Sequence, residues 1–105
     1  MGKPVTPRAQ ARTDVENIVG HYLREAGADV ALRFVAALEV AYGAIAARPG
    51  AGSPRFAHEL GLPGLRSRAV GRFPHLIFYV EHPDHVDVWR VLHARRDIAG
   101  WLAQD

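Results

Sequence analysis

At 105 residues, with 49% hydrophobic and 23% charged residues, the chain has the length of one domain and an ordinary globular composition, which excludes disorder but neither an enzyme nor a binder. It contains no cysteine, so structural disulfides and thiolate-bound metals are excluded. The formal net charge is only +2, yet residues 64–96 carry Arg66, Arg68, Arg72, Arg90, Arg95 and Arg96 against Glu81, Asp84 and Asp87, while residues 1–63 are nearly balanced. A local excess of guanidinium groups points to an anionic surface as partner, RNA, DNA or an acidic protein, unless it is simply a solvated sheet face.

Residues 1–10 are poorly specified. Lys3 to Thr6 can form at most a short edge strand, because Pro4 has no N–H to give to a ladder. The opening MGKPVTPRAQAR lacks the apolar centre of a signal peptide, and the longest apolar run, Val35 to Ala47, is broken by Glu39 and too short to span a bilayer. A soluble cytoplasmic protein with no membrane partner is therefore expected. Thr13-Asp14-Val15-Glu16 has the form of a capping box and opens a helix whose stripe is Val15, Ile18, Val19, Tyr22 and Leu23, ended by Gly27. Asp29 can cap a second helix carrying Phe34, Leu38, Ala41, Tyr42 and Ile45 on one face, up to Arg48-Pro49-Gly50. Helices joined this closely must be antiparallel neighbours.

Residues 48–64 are rich in Pro and Gly and read as a connection with a helical turn at Phe56–Leu60. Leu65–Val70 alternates with period two, Gly71-Arg72-Phe73-Pro74 turns the chain, and His75–Val80 is almost wholly apolar, as in a strand covered on both faces. After the turn at Glu81-His82-Pro83-Asp84, the segment Val86–Leu92 alternates again, with Val86, Val88, Arg90 and Leu92 facing opposite to Asp87, Trp89 and Val91. Asp97 caps a last short helix with Ile98, Trp101 and Leu102 spaced to dock. The expected fold is a single α+β domain over residues 1–105: an N-terminal helical hairpin packed on one face of a small twisted, mainly antiparallel sheet. That sheet is a three-stranded meander with a possible N-terminal edge strand, followed by the short C-terminal helix.

Little here suits covalent catalysis. Ser53 and Ser67 have no convincing His and carboxylate arrangement. His82-Pro83-Asp84-His85 pairs two imidazoles in a proline turn without a third ligand, so no metal is expected. Gly50-Ala51-Gly52 lies in a proline-broken loop rather than after a strand, and no cofactor is expected. Phe78, Tyr79 and Trp89 read as core rather than as a platform for bases. The concentrated signal is His93-Ala94-Arg95-Arg96 at the end of the last strand. There a guanidinium can clamp phosphate and an imidazole can move a proton near neutral pH. RNA cleavage through the 2′-hydroxyl would use His93 and Arg95 in those two roles. The competing reading pairs Arg95 or Arg96 with Asp97 or Glu81.

Leu62-Pro63-Gly64-Leu65-Arg66, Phe73-Pro74-His75-Leu76-Ile77-Phe78-Tyr79 and Arg90-Val91-Leu92-His93-Ala94-Arg95-Arg96-Asp97-Ile98, with Ala11-Arg12-Thr13-Asp14-Val15-Glu16-Asn17-Ile18 and Tyr22 before them, closely resemble ParE toxins of the RelE/ParE superfamily of plasmid-stabilisation toxins. The resemblance implies the toxin of a type II toxin–antitoxin pair, held inactive by a ParD-like ribbon-helix-helix antitoxin whose C-terminal segment wraps the toxin. Its ParE branch implies poisoning of DNA gyrase; its RelE branch implies cutting mRNA on the ribosome. The later acid/base position of the nucleases falls on Trp101, and no lysine follows Lys3, which favours gyrase inhibition and a non-enzymatic toxin. On that reading Arg66, Arg68, Arg72, His93, Arg95, Arg96 and Trp101 meet the target, and Val19, Tyr22, Leu38, Tyr42 and Ile45 receive the antitoxin. The alternative nuclease keeps His93 and Arg95. The resemblance also implies an ordered first strand running directly into the first helix, which Pro4 and Pro7 interrupt here.

Overall fold

The computed structural model describes residues 2–103. A three-residue strand β1 (Val5–Pro7) leads straight into helix α1 (Ala9–Glu25), followed by α2 (Ala28–Ala47). A 3₁₀ turn (Pro49–Ala51) and the short helix α3 (Arg55–Leu60) precede β2 (Leu65–Ala69), β3 (His75–Glu81) and β4 (Val86–His93). The short helix α4 (Ile98–Leu102) comes last. The sheet order is β1-β4-β3-β2. The meander β2-β3-β4 is antiparallel, as the alternation of its segments predicts.

The N-terminal strand does form, and it pairs in parallel with β4, with Val5, Thr6 and Pro7 opposite Val86, Asp87 and Val88. Pro4 enters only through its carbonyl, which accepts from the Val86 N–H at 2.8 Å; a proline on an edge removes no bond that the sheet needs. Lys3 reinforces the edge by donating to Glu81 at 2.7 Å and to the His82 carbonyl at 2.8 Å.

The capping-box expectation is corrected. Helix α1 begins a turn before Thr13, with Arg8 as its N-cap and no side-chain cap bond. Thr13 and Glu16 are exposed mid-helix residues. The reason is tertiary: the Arg8 N–H is tied to the Val88 carbonyl at 2.9 Å, so the chain leaves the sheet and turns at once into Ala9-Gln10-Ala11-Arg12, all good helix formers. A second cap also moves. Gly27, at φ +95°, is the N-cap of α2, and Asp29 makes no cap bond. Asp29 lies instead in the first turn, where its charge faces the positive end of the helix dipole. The turn closes because the N–H groups of Ala26 and Gly27 both donate to the Tyr22 carbonyl, at 2.8 and 2.9 Å; only a residue tolerant of positive φ fits there. Asp97 does cap α4, accepting from the Gly100 N–H at 3.2 Å.

A β-bulge corrects the alternation expected of β4. Phe78 pairs with Arg90 but Tyr79 pairs with Val88, so Trp89 is the extra residue and side-chain parity reverses across it. Val86, Val88 and Val91 therefore join one core with Ala11, Phe34, Leu38, Ala41, Ile45, Val70, Ile77 and Tyr79, beneath α1 and α2. Leu92 falls on the other face, in a smaller core with Leu65, Phe78, Ile98 and Leu102, which α3 and α4 cover. Helix α2 is apolar enough over its 20 residues to cross a membrane by length and composition, longer than the Val35 to Ala47 run. In this fold its Ala31, Phe34, Leu38, Ala41 and Ile45 are buried against the sheet. Phe78 and Tyr79 are core, as expected, whereas Trp89 is only half-buried under the Arg8 guanidinium, 4.8 Å from its ring centroid.

Candidate functional site

The site begins with a buried ion pair. Arg90 is 2% exposed and Asp14 9%. Arg90 Nε and Nη2 each donate to the Asp14 carboxylate at 2.7 Å, and one of its oxygens also accepts the Val91 N–H at 3.0 Å. Arg90 Nη1 donates to the Trp101 carbonyl at 3.0 Å. One guanidinium thus ties α1, β4 and α4 together, a role unassigned by the sequence reading, which treated Asp14 as part of a cap and Arg90 as a member of the basic field. The signal present was spacing: Asp14 falls on the same helical face as Ile18 and Tyr22, at i, i+4 and i+8.

Beside this pair lies a cleft of about 280 Å³ lined by Asp14, Asn17, Ile18 and His21 of α1, His75 of β3, Val91, Leu92 and His93 of β4, and Arg96 and Trp101. His75 and His93 are register partners, and their rings meet edge to face at 5.4 Å. Rings of Phe34 and Tyr22 pack on His75 at 5.3 and 6.1 Å. His75 is 7% exposed and its Nδ1 has no hydrogen-bond partner among the described residues. Burial first, then the charges of His93, His21 and Arg96, push its pKa down to about 4, so it is neutral at pH 7. His93 Nδ1 accepts the Arg95 N–H at 3.1 Å, which places the ring proton of neutral His93 on Nε2.

The structure divides the arginines expected on one surface. His93, Arg96 and Trp101 meet in the cleft, where the Arg96 guanidinium lies 5.1 Å from the Trp101 ring centroid. Arg95 is exposed next to them, and Arg72 is exposed in the β2–β3 turn at the same end of the sheet. Arg66 and Arg68 lie two strands away on β2, half-buried. Arg66 donates to the Gly52 carbonyl at 2.7 Å, and Arg68 lines a groove with Ala36, Ala37, Val40 and Ala41 of α2. The pairing of Arg95 or Arg96 with Asp97 or Glu81 does not form: Glu81 is bound to Lys3 and Asp97 caps α4. Among the described residues neither arginine has an ion-pair partner.

The residues expected to receive an antitoxin are largely internal. Leu38 and Ile45 are buried, at 6% and 0% exposure, and Val19, Tyr22 and Tyr42 pack half-buried against the same core. Burial, with the Asp14 carboxylate adding to it, pushes the Tyr42 hydroxyl up to about 12. The apolar side chains the helical hairpin leaves open are instead Leu23, Leu32 and Val40, at 51%, 66% and 74% exposure. No periodicity separates the two sets, because both faces of α2 are apolar.

Among the described residues no group of three or more His, Asp or Glu is placed to hold a metal ion. His82 and His85 stack at 4.8 Å, and His85 Nδ1 is 2.8 Å from Asp84.

No curated protein matches the sequence. A solved structure described as the chromosomal ParDE TA system from P. aeruginosa is similar with a TM-score of 0.72 and 22% identity, over 87% of this chain and 95% of that one; at that identity it speaks for the fold. The sequence model of the ParE toxin of the type II toxin–antitoxin system parDE matches residues 5–98. With the match running from β1 to the first residue of α4, the chain belongs to the ParE toxin family of type II toxin–antitoxin systems.

Proposed function

We propose that this toxin acts without catalysis by binding DNA gyrase, and so in the cytoplasm where gyrase works, through the end of the sheet that carries Arg72, His93, Arg95, Arg96 and Trp101. The observation that carries this reading is the state of Arg95 and Arg96: both are exposed and without an ion-pair partner among the described residues, and Arg96 is set over the ring of Trp101. Arginine and tryptophan are the side chains that most often anchor a protein interface. Purified chain free of antitoxin is expected to block supercoiling by gyrase or to trap its cleaved complex. Unchanged supercoiling at stoichiometric protein removes the proposal.

The neutralising partner is a ParD-like antitoxin of the ribbon-helix-helix class. Its apolar tail meets the open side of the hairpin, Leu32 and Val40, and the groove between α2 and β2 where Arg68 offers a charge. Leu38 and Ile45 support that surface from below.

A second reading, ribosome-dependent mRNA cleavage, is favoured by one observation: two imidazoles and a guanidinium share a cleft. His75, held near 4, stays neutral at pH 7 and cannot be the acid, so in this reading the proton carrier of the edge-to-face pair is His93. Trp101 has no titrating group to supply the other role. Cut transcripts in a translating extract, lost in Arg95→Ala, would establish this reading over the first.

A further inference from the structure

The cleft between α1 and the paired ends of β3 and β4 gathers several polar and charged groups. Four observations converge there. His75 is 7% exposed and carries a buried ring nitrogen without a partner among the described residues, which is unfavourable for a polar atom. The Asp14 carboxylate in the wall accepts three hydrogen bonds, two from Arg90 and one from Val91, and so does not oppose an incoming anion strongly. Arg96 borders the opening with no ion-pair partner among the described residues, steadied over Trp101 at 5.1 Å. The remaining polar groups, His93 with a proton available on Nε2, His21 and the Asn17 amide, are hydrogen-bond donors or become so.

Among the described residues, the charged and titratable groups lining the space are Asp14 and His21 from α1, His75 from β3, His93 from β4, and Arg96 beyond it. The Asp14 carboxylate is held by Arg90, and beside it stand the cation of Arg96 and three imidazoles. That set matches a compact oxyanion with several acceptor oxygens, which a guanidinium grips at two points while imidazole N–H groups take the others. A volume of about 280 Å³ admits a phosphate with a small substituent.

We propose that this cleft binds a phosphate oxyanion, either free or as the terminal group of a phosphomonoester. Arg96 is the main clamp, with His93 and Asn17 as further donors and His75 in the wall behind them. The inference concerns a small ligand and stands whether gyrase or the ribosome is the target.

The test is a titration of the free, full-length chain with inorganic phosphate at constant ionic strength, followed by imidazole and backbone nitrogen–proton NMR spectra, with adenosine monophosphate as a second arm. Saturable shifts of the His75, His93 and His21 ring signals are expected, and Arg96→Gln is expected to weaken binding by about tenfold or more. Arg33→Gln, on the exposed side of α2, leaves it unchanged. Both variants report their own folding in the same spectra. Tighter binding of the nucleotide assigns the site to phosphomonoesters; equal or weaker binding assigns it to free phosphate. Linear, non-saturating shifts, equal shifts with chloride, or wild-type affinity in Arg96→Gln overturn the proposal. No outcome depends on gyrase, so this inference and the proposed function fail separately.

Discussion

The residue on which most of the architecture turns is Arg90, because a charge at 2% exposure has no water to fall back on. Both Asp14 oxygens and the Trp101 carbonyl help to offset its desolvation. Asp14→Ala is expected to cost about 3–5 kcal/mol, read as a lower midpoint in urea unfolding, because it removes the carboxylate to which two Arg90 N–H groups and the Val91 N–H donate. Glu16→Ala, the other acid of the segment and exposed, should fall within about 0.5 kcal/mol of the native chain. His75 adds a pH dependence whose sign is definite. Its pKa in the fold, about 4, lies below the unfolded value near 6.5, so the unfolded chain takes up a proton that the fold refuses. Its contribution is complete above pH 6.5 and is lost as pH falls towards 4, by an amount on the order of 2–3 kcal/mol. Urea midpoints at pH 7 and pH 5 should separate, and His75→Phe should narrow the gap; an equal gap in the variant would place the titration elsewhere.

At the scale of elements, the bulge at Trp89 and the edge strand β1 decide which side chains meet. Without the extra residue, Leu92 would fall on the hairpin side and Val91 on the other, and neither core would close. Strand β1 is held by main-chain bonds from Val86 and Arg8 and by the fork of Arg8 on Asp87, at 3.0 and 2.8 Å. Burial works against the Asp87 charge as the largest single influence. The hydrogen bond and charge of Arg8, the Trp89 N–H and His82 outweigh it and hold the carboxyl below the ordinary carboxylate range. Helix α2 presents the opposite case, an element with more apolar surface than its own fold uses. Val40→Asp, at a position 74% exposed, should leave the urea midpoint within about 0.5 kcal/mol of the native value. It should nevertheless weaken capture of the antitoxin, measured by co-purification from a co-expressing strain. Native capture by the variant would move the docking surface away from α2.

For the whole molecule, the hairpin covers the larger core on one face of the sheet, while α3 and α4 cover the smaller core on the other. Just beyond the C-terminal end of β4 the chain carries Arg95 and Arg96 into solvent. Reversing both, Arg95→Glu with Arg96→Glu, should preserve the fold and antitoxin capture but abolish the block of gyrase supercoiling. Retained inhibition would assign the contact to Arg66 and Arg68 at the far strand instead.

Much of this was legible in the sequence, and the reason is local. Apolar residues spaced by three and four must form a helical stripe, alternation must form a half-buried strand, and Asp97 before Ile98 must cap. The helical hairpin, the meander, the last helix and the family pattern follow from neighbours along the chain. What only the tertiary structure decided involves partners far apart in sequence. Asp14 belongs to Arg90 rather than to a cap. Helix α1 starts early because Arg8 is pinned to Val88. Leu38 and Ile45 are core while Leu32 and Val40 are not, because α2 carries apolar residues on more than one face and only the sheet's position selects which is buried. The same holds for the cleft, since His21, His75, His93 and Arg96 share no local pattern and are brought together by β3 pairing with β4 beneath α1.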